Sequence, residues 1–104
     1  MKRTMMNDSL TLANGPALPN RIAKSAMSER LGNPDGSPSP ELVRLYERWG
    51  EGGAGLLVTG NVMVDRRALG ETGNVVVDDE RDLGALTAWA RAATRRGSRV
   101  WMQI

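Results

Sequence analysis

The sequence predicts an α/β fold: a short N-terminal hairpin, then three strands alternating with two helices, the strands parallel and the helices outside. Three observations carry this. Leu42, Leu45, Tyr46 and Trp49 repeat at helical spacing between two apolar runs, and a second helical pattern precedes a third apolar run. Leu56-Leu57-Val58 is a continuous apolar run bounded by Gly55 and Gly60, as in a strand covered on both faces. Strands that alternate with amphipathic helices connect by right-handed crossovers, and such crossovers make the sheet parallel.

The elements follow in order. Residues 1–8 are mostly polar and are expected to form a disordered tail, with the folded portion spanning 9–104. Ser9-Leu10-Thr11-Leu12 alternates, Asn14-Gly15-Pro16 is turn chemistry and Ala17-Leu18-Pro19 returns to apolar residues, so a hairpin is expected. A strand is expected over 21–27, with Ile22 its strongest strand former. From Ser28 to Ser39 the residues Gly32, Asn33, Pro34, Asp35, Gly36 and Pro38 make a loop.

Ser39-Pro40-Glu41 is a helix start. Ser39 suits the N-cap, Pro40 the first helical position where its missing N–H costs nothing, and Glu41 the positive end of the helix dipole. Gly50, Gly52 and Gly53 are expected to stop this helix. A strand is expected over 55–61, then a connection over 62–78. The second helix is expected over 79–96, with Leu83, Leu86, Ala90 and Ala93 as its apolar stripe and Trp89 beside it. Arg95 and Arg96 suit the negative dipole end and Gly97 the C-cap. Arg99 to Ile104 reads as the last strand. A three-stranded parallel sheet has two open edges, so the chain is either a small open α/β domain that associates or the front of a longer barrel.

Composition removes several chemistries. The 104 residues contain no Cys, which excludes disulfides, thiolate nucleophiles and zinc–thiolate sites, and no His, which excludes the commonest general base and imidazole metal ligands. Fourteen Lys and Arg against 12 Asp and Glu leave a net charge of +2, and these charges are dispersed, so no nucleic-acid arm is expected. No apolar stretch approaches the roughly 20 residues that span a bilayer, and the basic start lacks an apolar signal core. A cytoplasmic protein with neither a membrane nor a nucleic-acid partner is expected.

Three segments, in this order and spacing, resemble one family. They are Leu18-Pro19-Asn20-Arg21-Ile22-Ala23-Lys24-Ser25-Ala26-Met27-Ser28, then Leu42-Val43-Arg44-Leu45-Tyr46-Glu47-Arg48-Trp49-Gly50 with the glycine-rich run to Gly60, and Val100-Trp101-Met102-Gln103-Ile104. They resemble the FMN-dependent old yellow enzyme family, the NADH:flavin oxidoreductases. The resemblance implies an incomplete (β/α)8 TIM barrel, of which this chain supplies the N-terminal hairpin, the first three strands and two helices. It implies FMN as cofactor, NAD(P)H as reductant, and hydride transfer through flavin N5 to an activated alkene, a small-molecule substrate.

The resemblance also assigns residues. Ser25, Ala26, Met27 and Ser28 would lie against the isoalloxazine ring, with Ser28 a hydrogen-bond donor near O4 and N5. Gly60, with Thr59 beside it, would lie over the ring, and the Gln103 amide would meet its pyrimidine edge. Many members carry Pro in place of Ala26, and Thr or Cys in place of Ser28. No catalytic residue and no metal ligand is assigned, because the family's substrate-binding His pair and proton-donating Tyr belong to later strands. The implied partners are therefore the missing C-terminal part of the barrel or further copies of the chain. The alternatives are a catalytically silent truncated barrel, or another FMN- or phosphate-binding barrel.

Plainer readings stand beside these. Ser25 and Ser28 also read as a polar strand end, Gly60 as a tight strand exit, and Gln103 as a structural amide. Arg66 and Arg67 read as a solvated loop pair, and Trp49, Trp89 and Tyr46 as packing residues.

Overall fold

β2 (Leu56–Met63) is the strand around which the rest is arranged. In a computed structural model that describes residues 3–104, it pairs in parallel with β1 (Ala23–Lys24) and with β4 (Arg99–Gln103). Ala23 and Arg99 both stand opposite Leu56, so β1 and β4 flank it on opposite sides. Two helices, α1 (Pro40–Glu51) and α2 (Leu83–Thr94), alternate with these strands as expected. A short strand, β3 (Val75–Val76), pairs with Val62 and Met63 at the far end of β2.

Local chemistry explains the helix ends. The Ser39 hydroxyl accepts the Leu42 N–H at 3.1 Å, and Pro40 opens α1. After α2, Gly97 takes φ +98° and its N–H returns to the Thr94 carbonyl at 3.0 Å, a conformation glycine adopts without Cβ strain. Leu10 and Leu18 exchange both backbone hydrogen bonds, at 2.9 and 2.8 Å, which forms the expected hairpin.

The core lies between the helices and the sheet. Leu42, Tyr46, Leu57, Val62, Val75, Trp89 and Ala93 form one cluster, in which Leu42, Leu57 and Val62 are each 1% exposed. Full burial of one such side chain contributes on the order of 1.5–3 kcal/mol. Tyr46 meets Trp49 and Trp89 edge-on, with centroids 5.0 and 5.3 Å away, so both tryptophans are packing residues. The Lys24 ammonium lies 4.6 Å from the Trp49 ring centroid, and burial lowers its pKa. Arg95 bridges α2 to Glu47 of α1 at 3.0 Å.

Several expectations need correction. The first strand is two residues rather than seven, because after Lys24 the chain leaves the ladder with β2. The connection over 62–78 is not featureless: β2 runs on to Met63, and β3 pairs there. Gly50 does not stop α1. It lies within the helix, buried against α2, where a Cβ would sit 2.9 Å from the Ala93 carbonyl oxygen.

α2 is shorter than 79–96, because Asp79 accepts the Arg81 N–H at 2.9 Å and holds that stretch as a turn. Its buried face is Trp89, Ala92 and Ala93, while Leu83 and Ala90 are exposed, so Trp89 is on the stripe rather than beside it. Of the tail expected over 1–8, residues 1 and 2 lie outside the described residues. Over 3–8 the Asp8 carboxylate accepts the Met5 N–H, and the Arg21 N–H donates to the Met6 carbonyl at 2.8 Å.

Candidate flavin site at the strand ends

Of the site residues named from the sequence, Ser25–Ser28 and Gln103 lie at the C-terminal ends of β1 and β4, the face on which parallel α/β folds carry their chemistry, while Gly60 lies within β2, which runs on to Met63. Ser25, Met27 and Ser28 are exposed and Ala26 is half-buried. This stretch follows the last β1–β2 pair, Lys24 with Leu57.

What meets it is β2, at a bulge. Val58 pairs with Trp101 and Asn61 with Gln103, so Thr59 and Gly60 face a single residue of β4. The Thr59 hydroxyl repairs the gap: it accepts the Gln103 N–H at 3.0 Å and donates to the Gly60 carbonyl at 3.0 Å. Gly60 is buried, and a Cβ there would overlap the Met27 carbonyl and the Glu29 carboxylate. Its N–H donates to Glu29 Oε2 at 3.2 Å, and the Tyr46 hydroxyl donates to the same oxygen. Burial first, and then the bond to Glu29, raise the Tyr46 phenol far above its ordinary range.

Ser28 faces a different element. Its hydroxyl donates to Glu71 in the loop between β2 and β3. Glu71 is itself held by its N–H, which donates to the buried Asn74 amide oxygen at 2.7 Å. The two loops join again where the Gly32 N–H donates to the Gly73 carbonyl at 2.8 Å.

Arg66 makes a third join. It binds both carboxylate oxygens of Asp78, at 2.8 and 2.9 Å, and donates to the Asp35 carbonyl at 2.8 Å, so it is a cross-loop staple rather than a solvated residue. The Arg66 guanidinium holds Asp78 below the usual carboxylate range. Arg67 pairs with its neighbour Asp65 at 2.9 Å and is exposed. Between the loops lies a cavity of about 310 Å³ lined by Arg30, Asn33, Asp35, Arg66, Thr72 and Asn74 among others.

The structure thus brings Met27 onto Gly60 and Thr59 onto Gln103, while Ser28 is drawn toward Glu71. The reading of the sequence missed Glu29 and Glu71. The one available signal for Glu29 was Tyr46 on an apolar stripe, since a buried phenol needs a partner. Nothing in the sequence marks Glu71.

A flat ring with polar edges suits the exposed groups. The Ser25 hydroxyl and the exposed Gln103 amide offer hydrogen bonds, and Met27 offers an apolar surface. Ser28 departs from that pattern, because its proton is already engaged. Among the described residues, no helix is long and apolar enough to cross a membrane.

No family model matches the chain. It is similar to the NADH-dependent flavin oxidoreductase iliE of Hypocrea jecorina (strain QM6a), 34% identical over 99 residues, which covers 91% of this chain and 25% of that protein. It is 35% identical over 100 residues to the NADH-dependent flavin oxidoreductase iccE of Talaromyces variabilis, covering 92% of this chain and 24% of that protein. The old yellow enzyme homologue of Zymomonas mobilis shares its fold, with a TM-score of 0.83 at 16% identity over 96% of this chain and 27% of that one. The chain spans about a quarter of the length of the curated relatives it matches.

Proposed function

We infer that the chain belongs to the NADH:flavin oxidoreductase, or old yellow enzyme, family as the N-terminal part of its barrel, and that it forms one wall of an FMN site. The observation that carries this is the meeting of the β1 exit, the β2 bulge and the end of β4 at one edge of a parallel sheet. Relatives named as NADH-dependent flavin oxidoreductases support it across most of the chain.

A bound flavin supplies two-electron chemistry between NAD(P)H and an electron-poor alkene. The residues of this chain bind and orient. The Gln103 amide, with both donor and acceptor, would hold the pyrimidine edge, and the Thr59 hydroxyl fixes the backbone that carries it. Ser25, Ala26 and Met27 would lie along the ring. Gly60, expected over the ring, is instead buried under the Met27 carbonyl, which its missing side chain lets settle onto β2. Tyr46 is fully buried and its hydroxyl is bound to Glu29, so it is not the proton donor to substrate. That proton comes from outside these residues.

The test is a chimera in which this chain replaces the matching 99 residues of the Hypocrea relative. The purified chimera should retain FMN, with a visible spectrum shifted from that of free FMN. A folded chimera that leaves added FMN spectrally free would overturn the reading.

A further inference from the structure

We propose that Glu29 is the positioning residue of the β1 exit, the peg that sets Ser25–Ser28 against β2 beyond the end of their strand ladder. The proposal deepens the flavin-site reading and rests on it for its functional meaning. The contact itself stands independently.

The β1–β2 register ends at Lys24 opposite Leu57, and β2 then bulges at Thr59 and Gly60. The residues assigned to the ring face therefore need another anchor. Glu29 is the first residue after them, and its Oε2 accepts two hydrogen bonds from two different elements. One comes from the backbone N–H of Gly60 on β2, at 3.2 Å. The other comes from the Tyr46 hydroxyl on α1, and Tyr46 is 0% exposed and wedged edge-on between Trp49 and Trp89.

Both donors thus belong to packed elements, and hydrogen bonds to a carboxylate are stronger than neutral ones. Gly60 completes the fit, since its lack of a Cβ is what admits the Met27 carbonyl and the Glu29 carboxylate together. The other contacts of this stretch are weaker anchors. Lys24 Nζ donates to its neighbour Ser25 and lies over the Trp49 ring without a hydrogen bond to it, and Ser28 reaches Glu71 on a loop rather than a core element.

The test uses the full chain and the variants Glu29→Ala, Glu29→Gln and Tyr46→Phe. Amide exchange by NMR should rise about tenfold or more at Gly60 in Glu29→Ala, and the amide shifts of Ala26, Met27 and Ser28 should move, while Leu45 of α1 and Ala93 of α2 keep their protection. Glu29→Gln retains an acceptor oxygen and should fall between that variant and the parent. If Glu29→Ala loses protection everywhere, Tyr46→Phe decides: faster exchange at Gly60 with shift changes confined to Ala26, Met27 and Ser28 supports the peg, and unchanged exchange and shifts there overturn it.

The functional arm uses the chimera described above. Glu29→Ala should weaken FMN binding about tenfold, roughly 1.4 kcal/mol, and alter the flavin band, with Glu29→Gln partly restoring both. FMN binding that ignores Glu29 overturns its positioning role. A chimera with Glu29 intact that takes up no FMN overturns the family reading instead, and the exchange measurement still decides whether Glu29 is the peg.

Discussion

The hydroxyl of Thr59 accepts the backbone N–H of Gln103 at 3.0 Å and so closes the gap that a bulge opens between β2 and β4. Thr59 is 2% exposed, so neither bond can be exchanged for one to water. Thr59→Val keeps the shape and removes both bonds, leaving polar backbone groups without partners. A loss of about 1–3 kcal/mol is expected from denaturant unfolding, with Thr59→Ser losing less. Equal stability of Thr59→Val and the parent would show that the hydroxyl does not close the bulge.

Tyr46 gives the chain a titration of its own, since it is the only tyrosine. Burial and the Glu29 carboxylate raise its pKa, so the folded chain keeps the phenol proton after an unfolded chain has lost it near pH 10. Its contribution to stability is therefore full below pH 10 and falls by about 1.4 kcal/mol per unit above it. Tyrosinate absorbance of the native protein should stay low past pH 10 and rise together with unfolding. Ionisation at pH 10 with the fold intact would contradict the burial described for Tyr46.

Two helical glycines should respond in opposite directions. Gly84 has open space where a Cβ would stand, so Gly84→Ala should stabilise by about 0.5 kcal/mol through helix propensity. Gly50 has the Ala93 carbonyl oxygen 2.9 Å from that point, so Gly50→Ala forces α1 from α2 and should cost about 1–3 kcal/mol despite its better propensity. Thermal unfolding midpoints of the pair decide it. A stabilised Gly50→Ala would mean that the two helices have room to spare.

The parts of the fold legible in the sequence were those set by local chemistry. Ser39 and Pro40 start α1 through their own side chains and backbone, and the apolar run after Gly55 makes β2 whatever surrounds it. What escaped was set by neighbours distant in sequence. The early end of β1 follows from where the chain leaves the ladder with β2 after Lys24, β3 exists only because Val75 and Val76 reach Val62 and Met63, and the buried face of α2 follows from where α1 meets it.

The candidate site divides in the same way. Ser25, Ala26, Met27 and Gln103 stand at strand ends, positions that follow from the order of elements, whereas Gly60 lies within β2, which outruns the expected 55–61. Glu29 and Glu71 could not be singled out, since an acidic residue in a loop reads as solvated until a buried phenol or a serine hydroxyl is seen to face it.

The central claim is that the end of β4, fixed through Thr59, forms part of a flavin site. The most direct measurement is the FMN dissociation constant of the chimera carrying Gln103→Leu, compared with the chimera in which Gln103 is intact. Loss of the amide at the pyrimidine edge should weaken binding by about tenfold, near 1.4 kcal/mol, with circular dichroism unchanged. An unchanged dissociation constant in a folded Gln103→Leu chimera would contradict the account.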